Sequence, residues 1–88
     1  MTRAEINMAL ASVLETLDES QDGEAPEGVL ALAIEQGIPS SAGRWWEIAA
    51  MLLAGGLAER LDGHVMRVTE LGREIARKSR ALRTEERP

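Results

Sequence analysis

The chain has no cysteine, so it carries no disulfide framework, no thiolate metal site and no thiol nucleophile. Its one histidine, His64, is too little for a histidine-based metal centre. Tyrosine and phenylalanine are absent, and Trp45 and Trp46 are the only aromatic residues. No apolar run approaches the roughly 18 residues that a membrane span needs. The first residues lack the basic start and apolar run of a secretory signal. These absences point to a cytoplasmic protein with no membrane partner. No nucleophile is paired with a base. Adjacent carboxylates such as Asp18-Glu19 and Glu85-Glu86 read as solvated groups, not cleft acids. Asp22 and Glu24 flank Gly23, but further oxygen ligands of a calcium loop are missing. No glycine-rich phosphate loop occurs. The expectation is therefore no enzyme, no catalytic residue, no cofactor and no metal.

What is present is unevenly charged. The net charge is −5 over 88 residues, a length that fits a single domain, 1–88. A chain this short buries only about 60–65% of its unfolded surface, so its core must be economical. Residues 1–40 hold one cation, Arg3, against eight carboxylates, or −7. Residues 41–88 hold nine cations against seven carboxylates, or +2. Between 60 and 83 the count is seven against three, or +4. An overall acidic chain disfavours nonspecific nucleic-acid binding, but a localised basic segment can still attract phosphate.

Apolar spacing divides the chain into four helices and a hairpin. Thr2 and Glu5 form a capping-box pattern before a helix over 3–18, with Met1 and Ile6 at the flanking apolar positions. Residues 19–24 have no periodicity and read as a loop. Pro26 suits the first turn of a second helix, 26–36, with Gly37 at the left-handed position after it. Ile38-Pro39 turns into Ser40-Ser41, either of which can cap a third helix over 41–54. Gly55-Gly56 ends it. Leu57–Leu61 and His64–Val68 flank Asp62-Gly63, a strong two-residue hairpin signal spanning 57–68. That turn pairs Leu61 with His64, Glu59 with Met66 and Leu57 with Val68. Arg60 and Arg67 then share the outer face. Thr69 caps a last helix over 70–83. Leu71, Ile75 and Leu82 align on one of its sides, and Arg73, Arg77, Arg80 and Arg87 on the other.

The fold class that follows is mainly α with a small β-hairpin. The segment Ile48-x3-Leu52-x3-Gly56-Leu57, then Arg60, Asp62-Gly63 and Val68-Thr-Glu-Leu-Gly-Arg-Glu-Ile-Ala76, resembles the winged helix-turn-helix superfamily. The resemblance covers about residues 26–77 and identifies no subfamily. It implies four helices with a two-stranded wing. It also implies double-stranded DNA as partner, with helix three in the major groove and a wing arginine near the backbone or minor groove. Many such folds serve protein contacts instead.

Carried onto this chain, the resemblance puts Gly43, Arg44, Glu47, Ala50, Met51 and Ala54 on the groove side of helix three. Only Arg44 and Glu47 can address base edges, the first reading guanine and the second cytosine. Ser40 and Ser41 can donate to phosphate. Arg60 and Arg67 are placed for backbone contact, unless they only protect a sheet edge. Arg44 and Glu47 read equally well as a solvated face. Trp46, with Leu53 and Met51, is either a partly exposed patch or is covered by the first or last helix. Met8 and Leu17 either join a dimer or pack on the last helix. Two functions follow. One is a small DNA-binding regulator, expected to be a homodimer, using Ser40, Ser41, Arg44, Glu47, Arg60 and Arg67. The other is a protein-interaction or dimerisation module using Trp46, Ala50, Met51 and Leu53.

Overall fold

The computed structural model describes residues 1–85. Helix α1 (Arg3–Glu19) is followed by strand β1 (Glu24–Pro26), α2 (Glu27–Gly37) and α3 (Trp45–Ala54). Strands β2 (Ala58–Leu61) and β3 (Val65–Val68) and helix α4 (Glu70–Glu85) complete it. The chain is mainly helical with a small three-stranded antiparallel sheet, ordered β1-β3-β2. No described helix is long and apolar enough to cross a membrane.

The capping box forms as the sequence implies. Glu5 N–H donates to Thr2 Oγ1 at 3.1 Å, and Thr2 N–H to Glu5 Oε1 at 2.8 Å. Ala9, Val13, Leu14 and Leu17 of α1 are buried against Leu30, Ile34, Ile48, Leu52 and Met66. Leu17 is therefore core and not available to a partner, whereas Met8 is exposed.

The expected two-stranded sheet gains a third strand. Glu24, Ala25 and Pro26 pair with Arg67, Met66 and Val65, in a segment that reads as loop and helix start. Pro26 has no N–H to offer a ladder, so it fits the end of an edge strand. It stands just before α2 as its N-cap residue, not inside its first turn.

The hairpin is shifted by one residue. Ala58 pairs with Val68, Glu59 with Arg67, Arg60 with Met66 and Leu61 with Val65. Three residues, Asp62, Gly63 and His64, form the connection, and Gly63 and His64 both adopt positive φ, 76° and 58°. A slip of one residue reverses the sides of a strand. Arg60 therefore lies on the face of buried Met66, while Arg67 lies with Glu59 on the opposite face. The two arginines do not share a surface.

Two helix ends also differ. Gly37 remains inside α2, and the left-handed position falls at Ser40 instead, with φ 72°. Helix three begins with a 3-10 turn, Ala42–Arg44, and becomes α-helical at Trp45.

Thr69 caps α4 as expected, its Oγ1 accepting from Gly72 N–H at 3.1 Å. Gly72 is buried where α4 meets the hairpin. A Cβ there would sit 2.1 Å from the Leu57 carbonyl oxygen, so only glycine lets α4 start so close to the sheet. The helix is rotated about a quarter-turn from its apolar stripe: of the three stripe residues only Ile75 packs against the core. Ala76 is buried, but Leu71 and Leu82 are 48% and 59% exposed. Arg73 and Arg80 face α1 instead, held by its acidic side chains. Arg87 lies outside the described residues.

Candidate functional site

The basic segment is largely consumed inside the molecule. Helices α1 and α4 run antiparallel, because Asp18 meets Arg73 while Glu15 meets Arg83. Arg73 Nη1 lies 3.0 Å from Asp18 Oδ1. Arg80 Nη2 reaches Glu19 at 3.1 Å and Asp18 at 3.5 Å. Arg83 donates to Glu15, which is buried and also accepts from the Ser79 hydroxyl at 2.9 Å. The acidic first half and the basic second half of the sequence thus face one another.

The hairpin cations are paired as well. Arg60 donates twice to Glu27, through Nε and Nη2, each at 2.7 Å. Glu27 is buried, and it also accepts from the Trp45 indole N–H at 3.0 Å. The Arg60 hydrogen bonds hold the Glu27 carboxyl below its ordinary range, and the Trp45 bond acts in the same direction. The guanidinium is correspondingly raised. Arg67 Nη2 donates to Glu59 at 2.9 Å, with Glu24 at 3.8 Å on its other side. Trp45 is half-buried against the core, its polar edge fixed by Glu27.

The entry to α3 offers phosphate little. Glu35 accepts from the backbone N–H of Ala42 at 2.9 Å and from that of Ser40. Those two bonds lower the Glu35 carboxyl. A carboxylate therefore already occupies the donors that an anion would use. Ser40 is exposed but makes no side-chain cap, and Ser41 is 0% exposed. The Ser41 hydroxyl cannot reach a backbone phosphate from that position. Glu35 does what was expected of the serines.

The outward face of α3 is what remains open. Trp46 is 69% exposed, and Met51, Ala50, Gly43 and Ala54 are also exposed. Arg44 and Glu47 bind each other through two hydrogen bonds, 2.8 Å and 3.2 Å. That contact raises the Arg44 guanidinium and lowers the Glu47 carboxyl. Met1, just before α1, and Ile6 within it meet Arg44, Trp46, Glu47, Ala50 and Met51 around a shallow groove of about 440 Å³. Arg44, Trp46, Glu47, Ala50 and Met51 are thus brought together. Leu53 is not among them, because it is half-buried and packs on the core.

Glu27, Glu35 and Glu15 are the residues that sequence reading missed, and Asp18, read as solvated, is instead nearly buried between Arg73 and Arg80 while Glu19 stays exposed. Their partners are five to 68 positions away, and no local spacing encodes them. The only sequence signal is the charge asymmetry itself, which on its own suggests a surface for phosphate. Among the described residues, no group of three or more histidines, cysteines or carboxylates is placed to hold a metal ion. No known protein-family profile, characterised protein or solved structure matches the chain.

Proposed function

We propose that this chain is a winged-helix interaction module that pairs with a second copy of itself through α3. The order of two helices joined by a turn, a hairpin and a final helix supports the winged-helix reading. One observation carries the functional part. Arg44, Arg60, Arg67, Arg73, Arg80 and Arg83 each have a carboxylate partner within the chain, while α3 presents apolar Trp46, Ala50 and Met51 to solvent. Phosphate would have to displace those carboxylates before it gained any contact. Counterion release, which drives DNA binding, is small for cations already neutralised.

A second copy suits this face better than an unrelated surface does. In a two-fold pair the same patch serves both partners, so it must be complementary to itself. The α3 face holds a protruding indole beside a shallow groove, and one charge of each sign. Two copies related by a two-fold axis can exchange indoles between grooves. Arg44 of each can then face Glu47 of the other. Trp and Arg are the residues that most often anchor such contacts.

Sedimentation velocity at rising concentration tests the proposal. The wild type should form dimers, and Trp46→Ala should be monomeric with an unchanged circular dichroism spectrum. Arg44→Glu and Glu47→Arg should each be monomeric alone and should dimerise when mixed. A wild type that stays monomeric, or a mixture that does not pair, overturns the proposal. Retention of the wild type on duplex DNA at low salt, lost on Arg60→Ala with Arg67→Ala, would favour the DNA-binding regulator instead.

A further inference from the structure

A second groove, of about 610 Å³, opens between α1, α2 and α4. It shares no lining residue with the α3 face, so it stands or falls separately from pairing there. The space exists because the facing positions are small. Ala11 and Ser12 on α1 look toward Ala33 and Gly37 on α2, and none of them fills the gap. Buried Ile34 and Ile38 line it, while Met8 and Leu82 remain 58% and 59% exposed around it. The volume falls within the roughly 300–1,000 Å³ typical of small-molecule sites, which are mostly apolar with a few placed polar groups.

The polar groups here are few and unbalanced. Glu15 is buried and accepts from Ser79 and Arg83, so its charge is offset within the groove. Arg83 keeps further N–H donors beyond that one bond. Lys78 also lines the groove, and it has no carboxylate partner among the described residues. Among the described residues the groove thus carries one excess positive charge, on a chain whose net charge is −5.

From this we infer that the groove binds an aliphatic monocarboxylate, free in solution. The hydrocarbon body lies against Met8, Ala33, Ile34, Ile38 and Leu82. Its carboxylate is held by Lys78, with the spare donors of Arg83 beside it. A neutral alcohol of the same length leaves the ammonium without a partner. An alkylamine places like charges together.

Decanoate is the probe, titrated into the full chain below its micelle concentration. Calorimetry gives the affinity, and methyl spectra of Met8, Ala33 and Leu82 give the location. Saturable shifts are expected at those methyls. Decanol should bind about tenfold more weakly, the equivalent of one lost charge contact. Decylamine should bind more weakly still. Lys78→Glu should weaken decanoate by about tenfold and leave decanol unchanged. Ala33→Leu should abolish binding by filling the groove. Gly37→Leu is the second blocking variant. A Cβ at Gly37 meets nothing within 4 Å, so the helix tolerates it. Absence of saturable shifts, equal binding of decylamine, or shifts at Met51 would overturn the inference. So would co-sedimentation with anionic phospholipid vesicles in a chain that ignores free decanoate.

Discussion

The seam between α1 and α4 and the outward face of α3 use charge in opposite ways. At the seam, Asp18, Glu19 and Glu15 of one helix hold Arg73, Arg80 and Arg83 of another. These pairs link positions more than 50 residues apart, so they exist only in the folded chain. On α3, Arg44 and Glu47 are one turn apart and bind each other across solvent. Breaking a seam pair releases one element from another. Breaking the α3 pair releases only two side chains, which are then available to a partner. Charges that join elements serve the fold, and charges joined within one turn can be exchanged. Substitutions near the seam and the sheet should therefore cost stability. Substitutions on the outward face of α3 should cost association alone.

The largest loss is expected at Gly72. A methyl group there would meet the Leu57 carbonyl oxygen at 2.1 Å and Val68 Cγ2 at 2.7 Å. Neither atom is the loose end of a long side chain, so α4 must move off the hairpin. Gly72→Ala should cost about 3 kcal/mol or more, despite the better helix propensity of alanine. Urea denaturation measures this. A neutral result would mean that α4 does not need its close seat on the sheet.

Glu27 comes next. It is buried, and it ties β2 to α2 and α3 by accepting from Arg60 and Trp45. Removing one partner of a fully buried pair costs about 3–5 kcal/mol, but Arg60 is half-exposed here and screening reduces that. Glu27→Gln should therefore cost about 2 kcal/mol at neutral pH. The pH dependence has a definite sign. Arg60 lowers the folded-state carboxyl below its unfolded value. The stabilisation is thus fully present above the ordinary glutamate range and is lost as pH falls through the lowered value. The gap in urea midpoint between wild type and Glu27→Gln should close on the acid side. A gap that stays constant into acid would remove the ion pair as its cause.

Those two positions also mark how far the sequence could be read. The capping box at Thr2 and Glu5 and the Thr69 cap were legible, because each depends on residues within one turn. The hairpin was legible, but its register was not. Asp62-Gly63 signals a two-residue turn, whereas His64 joined the turn at positive φ and moved every pair by one. That shift puts Arg60 and Arg67 on opposite faces, where a two-residue turn would place them on one. Strand β1 has three residues, too few to show an alternation. The orientation of α4 was misread for a different reason. Its leucines form the clearer stripe, yet the acidic side of α1 attracts the arginines and leaves Leu71 and Leu82 exposed. On α3 the exposed poverty of polar groups was readable from spacing. The mutual engagement of Arg44 and Glu47 is permitted by their interval of three residues but not dictated by it.

The smallest effect on stability is expected at that last pair. Arg44 is exposed and Glu47 partly so, and an ion pair within one helical turn in water contributes little to folding. Arg44→Ala should leave the urea midpoint of the monomeric chain where it was. The informative background is Trp46→Ala, in which pairing is already removed, so that stability is read without association. In the wild-type background the same substitution should weaken the dimer, because Glu47 of the other copy loses its cation. Salt should reduce the difference, since the contact is solvent-exposed before pairing. If Arg44→Ala lowered the midpoint as much as Glu27→Gln does, the α3 pair would be holding the fold. It would then not be free to change partners. If it altered neither the midpoint nor the dimer, the indole and Met51 alone would carry the contact, and the charge exchange between copies would be the part of the proposal to discard.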